Sequence, residues 1–346
     1  MNIRRGGRRR AERVLASKSK RWLKKALVGS SILRLASRLT PPSAAILAYH
    51  SVEETPQLTD PIFGASTSRV QFENHMKTLA RKFRPVSLDE VLQFAQAGRQ
   101  LPPGAVAVTF DDGFADNYEL ALPILNRYGI PASFYIMVNA VENGTLPWYC
   151  RLRFAFHATN KMEWKDPVNG RTFRLDVPEE RRVALQLAWD TGAKLTGSVQ
   201  DRFIGGVEEA LGTEPANAPH GFMMTWEQVR GLRKAGHTVG AHTLSHPNVA
   251  QVSVSEARSE IVESKRRLEE KLGEAIEHFS YPHPALNPCW SNQTLELTRE
   301  AGYKSAVLTT SGQVRAGDEP LALKRINTPS DLVQFTLNLQ RTFAGR

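Results

Sequence analysis

The sequence predicts a parallel α/β fold interrupted by one long insertion. Three observations predict it: short apolar runs that read as buried strands, amphipathic helices between them, and a break in that alternation from 141 to 224. Strands covered by helices on both faces appear as continuous apolar runs, not as alternating ones.

Residues 1–40 stand apart. They hold 13 Lys or Arg against one acid, Glu12, a net of +12; the whole chain of 346 residues carries +10, so everything after residue 40 sums to −2. Leu15, Trp22, Leu23, Leu27, Ile32 and Leu33 recur at roughly helical spacing among the cations. A basic amphipathic helix of this kind can lie on an anionic membrane surface, and a solvated basic tail is the plainer alternative. A slightly acidic body argues against nucleic acid as a partner. No run of about 18 apolar residues could span a bilayer. No uninterrupted apolar region with a small-residue cleavage site marks a secretory signal. The expectation is a cytoplasmic chain, peripheral on the inner membrane through residues 1–40. Cys150 and Cys289 make neither a disulfide framework nor a Cys metal cluster, and read as buried thiols.

The body begins after Pro41-Pro42 with a strand, Ala44–Ala48, that ends in Tyr49-His50. Phe72, Met76 and Leu79 mark a helix, and Ser87 ahead of Asp89-Glu90 caps a second. "AVAVTF" (105–110) is the next strand, followed by a helix over 116–128 closed by Gly129 and the strand "PASFYIMV". Inside the insertion, "NGTLPWYCRLRFAF" is aromatic and basic, "NGRTFRLDV" reads as a short hairpin, and 178–211 as one or two helices. Alternation then resumes: helix 225–236, strand 237–242, long helix 253–273, strand 276–282, helix 292–302 and strand 303–310. The organisation expected is an N-terminal extension (1–40), one catalytic domain (41–335) carrying the insertion (141–224), and a short tail (336–346).

Two stretches carry chemistry. The strand 105–110 ends in adjacent carboxylates, Asp111 and Asp112, before Gly113. Paired negative charge at a buried strand end is costly unless something requires it. His242 and His246 stand four apart just after another strand. In a parallel α/β barrel the C-terminal strand ends gather on one face, which would bring both stretches together. Two imidazoles and a carboxylate, with one position left open, suit a hydrolytic metal site. Successive residues leaving a strand point apart, so one acid can bind the ion while its neighbour accepts a proton from water, whose pKa the ion lowers from about 16 to roughly 7. The competing reading makes one acid a helix cap, but Asp116 or Asn117 is better placed for that.

These residues also carry a resemblance. Thr109-Phe110-Asp111-Asp112-Gly113 and His242-Thr243-Leu244-Ser245-His246, with "TWEQVRGLRKAGHTVGAHTLSHPNVAQVS" and "HFSYP", resemble the polysaccharide deacetylases of the NodB-homology type, carbohydrate esterase family 4. The resemblance covers about 44–330. It implies a deformed (β/α)7-type barrel, a divalent metal (zinc usually, with Co2+, Ni2+ or Mn2+ as alternatives), and hydrolysis of N-acetyl groups on an amino-sugar oligo- or polysaccharide or its precursor. By the same transfer Asp111 is the base, and Asp112, His242 and His246 are the metal ligands. "FSYPHP" (279–284) resembles the groove wall, where the backbone N–H of His283 would meet the oxyanion and Tyr281 and Pro282 would flank the sugar.

The departures matter as much. Family members carry Arg two positions before that proline, and this chain has Ser280; a Gly after it is Pro284. The later Asp-Trp pair is missing, and so is the late Leu-x-His that supplies an acid; "LALKRIN" puts Lys324 and Arg325 there instead. "LAYHSV" resembles the opening strand of a subgroup that includes poly-N-acetylglucosamine deacetylases, and nominates His50 as the acid. Trp148, in "LPWYCRLRF" with Tyr149 and Arg151, is a candidate sugar-stacking ring or else a hydrophobic anchor. His75, His157, His220, His237 and His278 read as surface or packing residues. Removal of formyl from a lipid-linked amino sugar is the alternative activity, and a metal-free carbohydrate-binding pseudoenzyme the alternative class.

Overall fold

A computed structural model describes residues 40–54, 66–213, 221–283, 287–329 and 331–345. The expected basic helix within 1–40, His220 and Pro284 lie outside the described residues.

The strands are β1 (Ala44–Tyr49), β2 (Ser51–Glu53), β3 (Ser66–Ser68), β4 (Arg84–Pro85), β5 (Ala105–Phe110), β6 (Ala132–Ile136), β7 (Glu163–Lys165), β8 (Thr172–Arg174), β9 (Thr238–Ala241), β10 (His278–Ser280), β11 (Ser305–Ser311) and β12 (Leu323–Asn327). Seven of them close a parallel ring in the order β1-β12-β11-β10-β9-β6-β5, with β5 pairing back onto β1 from Ala44↔Ala105 to Tyr49↔Phe110; β4 adds a short edge to β5. The fold is the expected deformed (β/α)7-type barrel.

Alternate residues of each strand serve different layers. Ala44 and Ile46, Ala105 and Ala107, Tyr135, Val307 and Leu323 form one cluster on the inner side. Ala45 and Leu47, Val106, Val108 and Phe110 face the helices in a second. Both faces are therefore buried, which is why β1 and β5 read as unbroken apolar runs. Ala44, Ala105 and Ala107 are small, and the space they leave is filled by Tyr135 and by Arg325 of β12, both fully buried. A Cβ on Gly240 of β9 would stand 2.6 Å from the Tyr135 ring and 2.7 Å from the carbonyl oxygen of His278, so glycine is required there.

The helices are α1 (Arg69–Lys82), α2 (Leu88–Ala97), α3 (Leu122–Tyr128), α4 (Val138–Asn143), α5 (Trp148–Ala158), α6 (Pro178–Gly192), α7 (Gly197–Leu211), α8 (Trp226–Lys234), α9 (Val254–Leu272), α10 (Asn292–Glu300) and α11 (Leu332–Phe343). Ser87 caps α2 with a reciprocal Glu90 contact, as its sequence predicts. Asp116 does not cap α3: the chain enters through a π turn over Asn117–Ala121, and the Asp116 carboxylate takes the Ser51 hydroxyl instead. The insertion is mainly helical (α5, α6, α7) with the β7–β8 hairpin. The chain end differs from expectation: α11 crosses position 335 and buries Phe335, Leu337, Leu339 and Phe343, so residues 336–343 are part of the core and not a tail. Cys150 and Cys289 are free and buried. Among the described residues no helix is long and apolar enough to cross a membrane.

Candidate active site

The inner side of the barrel and its C-terminal rim bring together what the sequence separates. Asp111 leaves β5 on the same side as Ala105, Ala107 and Thr109, and its N–H extends the ladder to the Tyr49 carbonyl at 3.0 Å. His50 follows β1, His242 follows β9 and Tyr281 follows β10. His242 is tied by its N–H to the Ile136 carbonyl (2.9 Å), and its Nδ1 contacts the Ser280 carbonyl at 2.8 Å. That contact turns Nε2 toward Asp112.

Asp112 Oδ1 stands 3.4 Å from His242 Nε2 and 3.5 Å from His246 Nε2. All three side chains are buried. Asp112 Oδ1 has no hydrogen-bond partner although it is sealed from solvent. Ligands about 2.0–2.1 Å from a tetrahedral ion stand roughly 3.3 Å apart, so the spacing and the donor set fit a divalent metal. The same orphaned oxygen would be an expensive feature without one. Backbone strain collects at these residues too: Asp112 (φ 77°), Thr243 (φ 63°) and His246 (φ 61°) all lie in the left-handed region that favours glycine. Such strain persists only where surrounding structure enforces it, and it gathers at functional sites.

The enforcing contacts are visible. Glu260 of α9 accepts hydrogen bonds from the Leu244 and Ser245 N–H groups (2.8 and 2.9 Å) and from the Ser245 hydroxyl (2.6 Å). The Thr243 hydroxyl accepts the His246 N–H at 3.0 Å. The insertion supplies the rest: Trp148 Nε1 donates to the His246 carbonyl (3.1 Å), and Ala193 O accepts the Asn248 N–H (2.9 Å). Tyr149 places its ring 4.8 Å from that of His246.

Asp111 is held by Arg325. Nη1 donates to Oδ1 at 2.8 Å and Nη2 to Oδ2 at 2.7 Å; Nε donates to Leu308 O, and the remaining donors reach Thr109 Oγ1 and the Ser280 hydroxyl. Burial works against the Asp111 anion, but the guanidinium outweighs it and holds the carboxyl down at about 2. Leu308 O is available because β11 bulges: Val307 pairs with Leu323, yet Ser311 pairs with Arg325, so β11 spends two more residues than its partner there. His50 Nε2 lies 4.0 Å from Asp111 Oδ2, with a third of its side chain exposed.

Two sequence expectations are corrected. Trp148 is buried against Tyr149 and Trp189, and a Cβ on Gly192 would come within 3.0 Å of its ring; it anchors the insertion and offers no face to a sugar. Tyr281 is fully buried, its hydroxyl donating to Thr298 Oγ1 at 3.0 Å, so it supports the rim from below. Pro282 is buried beside it and His283 is exposed. Sequence reasoning missed Glu260 and the function of Arg325. The signal for the second was present in the unexplained Ser280 and the cations at 324–325. A further grouping, Asp89, Glu277 and His278, lies at the opposite end of β10, where His278 contacts Asp89 at 3.1 Å and Lys304 pairs with Glu277. His75 and His237 are buried and His157 is exposed.

Residues 98–306 match the family model described as polysaccharide deacetylase. YxkH of Bacillus subtilis (strain 168), whose name places it among the polysaccharide deacetylases, is 20% identical over 287 residues, 83% of this chain and 71% of its own. A poly-beta-1,6-N-acetyl-D-glucosamine N-deacetylase of Staphylococcus aureus (strain N315) is 33% identical over 109 residues, 29% of this chain and 37% of its own. The Streptococcus pyogenes deacetylase PplD has the same fold (TM-score 0.58, 19% identity, covering 88% of this chain and 99% of that one). So has IcaB of Ammonifex degensii (TM-score 0.55, 19% identity, 86% and 97%). Because residues 98–306 make up more than half of this chain, it belongs to the polysaccharide deacetylase family.

Proposed function

We propose that the protein is a metal-dependent deacetylase that removes N-acetyl groups from a polymer of N-acetylated amino sugar. The observation that carries the reading is the buried Asp112–His242–His246 cluster directly beside a second, separately held carboxylate. A binding module has no use for four such groups, and the relative from Staphylococcus aureus is named for N-acetylglucosamine polymer as its substrate.

A divalent ion held by Asp112, His242 and His246 would polarise the amide carbonyl and acidify water. Asp111 accepts the proton of the attacking water. Its pairing with Arg325 keeps it ionised throughout the physiological range, at some cost in basicity. The His283 N–H, at the rim after Pro282, would support charge developing on the amide oxygen, a contribution of about 3–4 kcal/mol for one such donor. His50 is the acid: it is partly exposed and its Nε2 lies 4.0 Å from Asp111 Oδ2. It would protonate the departing amine, leaving acetate and a free amino sugar.

The test is metal analysis of the purified protein together with acetate release from β-1,6-linked N-acetylglucosamine oligomers. Asp111→Asn should keep the ion and lose about 10²–10⁴ in turnover, whereas His242→Ala should lose both. Protein that holds no divalent ion, or Asp111→Asn with near-normal turnover, would end this assignment.

A further inference from the structure

Tyr149 comes from the insertion, at the start of α5, and three observations set it apart. Its ring lies against His246, with centroids 4.8 Å apart. Its hydroxyl is sealed from solvent and has no hydrogen-bond partner. The acceptor within its reach is Asp112, the carboxylate that would hold the ion. A buried hydroxyl that makes no full hydrogen bond costs about 1–3 kcal/mol.

The placement is built. Trp148, the preceding residue, is fixed by its hydrogen bond to the His246 carbonyl and by its close fit over Gly192. Arg151, one half-turn on, makes a bidentate pair with Glu208 of α7. Trp189 of α6 closes the other side of the Tyr149 ring. Neighbouring Asp112 Oδ1 is equally unpartnered. A phenol is a donor at neutral pH, and the acceptor within its reach, Asp112, is the group that an ion would take. One oxygen delivered to the cluster together with an ion would answer both.

We infer that the Tyr149 hydroxyl donates a hydrogen bond to the acetyl oxygen of the substrate, making the insertion part of the catalytic centre and not an appendage. This rests on the deacetylase reading above. Because the bond strengthens as charge grows on that oxygen, its loss falls on kcat more than on KM. The same hydroxyl would hold a carboxylate oxygen of the product, acetate.

The experiment compares wild type with Tyr149→Phe, which keeps the buried ring. Zinc content and affinity are measured first, then acetate binding to the zinc-loaded protein by titration calorimetry, then kcat and KM. The expected result is unchanged zinc affinity, acetate binding about tenfold weaker, and kcat lower by about 10²–10³ with KM little altered. Equal kcat and equal acetate affinity in the two proteins would overturn the inference. So would zinc affinity falling 10–100-fold in step with turnover, because the hydroxyl would then be serving the Asp112 ligand. Should Tyr149→Phe fail to fold, ¹³Cζ-tyrosine NMR of the wild type substitutes for it: one buried tyrosine must shift when acetate is added, and no shift overturns the inference. Wild-type protein with neither bound zinc nor acetate release defeats the deacetylase reading itself, a result distinct from all of these.

Discussion

Arg325 and Asp111 meet inside the barrel through two parallel hydrogen bonds of 2.8 and 2.7 Å, with both side chains almost completely buried. The guanidinium arrives from β12, adjacent to β1, and touches Leu308 of β11, Thr109 of β5 and Ser280 of β10 on the way. It therefore ties four strands together while fixing the acid that faces the cluster. Arg325→Met should leave a buried carboxylate unpaired, which costs about 3–5 kcal/mol. Without the cation, burial dominates and the Asp111 pKa moves up from about 2. The acid limb of kcat/KM should then move to higher pH, because Asp111 is protonated over more of the range. A pH–rate profile of Arg325→Met superimposable on wild type would show that the pair is structural only.

The Ser280 hydroxyl accepts from Arg325 Nη2 at 3.1 Å, so the two positions share one space. The family resemblance implies arginine at the position of Ser280. Moving the cation should then be tolerated: Arg325→Ser is expected to lose most activity, and Arg325→Ser with Ser280→Arg to recover at least tenfold of it. An additive loss in the double variant would mean that only the β12 route presents the fork correctly.

The sequence made the barrel legible because its strands are continuous apolar runs and its helices carry caps; the Asp-Asp and His-x3-His sets were legible because they end such strands. β12 was not, since "LKRIN" places two cations in a strand of five, and a buried arginine reads as a surface residue until its partner is known. The aromatic residues misled in the opposite direction. Trp148 and Tyr281 look available in a linear sequence, but what buries them, Gly192, Trp189 and Thr298, lies at distances along the chain that no local pattern reveals. Trp148 reaches the cluster only at the His246 carbonyl, whereas Tyr149 beside it lays its ring against the His246 side chain, and one residue of helix rotation separates those two outcomes.

Glu260 accepts three hydrogen bonds from the turn that carries His246 and is buried under it. Both N–H groups fall on Oε2, which a Gln carbonyl could reproduce while its NH2 donates to the Ser245 hydroxyl; Leu removes all three hydrogen bonds. Glu260→Leu should lower zinc affinity about 10–100-fold, as loss of support behind a ligand does, with a stability loss of about 2 kcal/mol or more. Equilibrium dialysis against a zinc chelator measures the first. Zinc affinity equal to wild type would show that Thr243 and the Trp148 contact suffice to hold the turn.

His75 gives a stability dependence on pH that can be isolated. It is fully buried, stacked on Phe335 at 3.9 Å between centroids and 3.0 Å from the Tyr49 hydroxyl. Burial lowers its pKa from 6.5 to about 4. The unfolded chain therefore takes up a proton that the folded protein refuses, so the contribution is complete above pH 6.5 and is lost as pH falls through about 4. Its size is about 3 kcal/mol over that window. Asp116 acts with the opposite sign: burial raises it to about 7, so its contribution grows as pH falls from 7 toward 4. Asp111 and Asp112 are lowered, and matter below that range. Those terms are common to wild type and His75→Gln, so their difference reports His75. Urea unfolding at pH 7, 5.5 and 4.5 should find the variant less stable at pH 7, where it lacks the stack on Phe335, and the gap narrowing by about 2 kcal/mol by pH 4.5. A gap that stays constant with pH would mean that His75 accepts its proton in the folded protein as readily as in the unfolded chain.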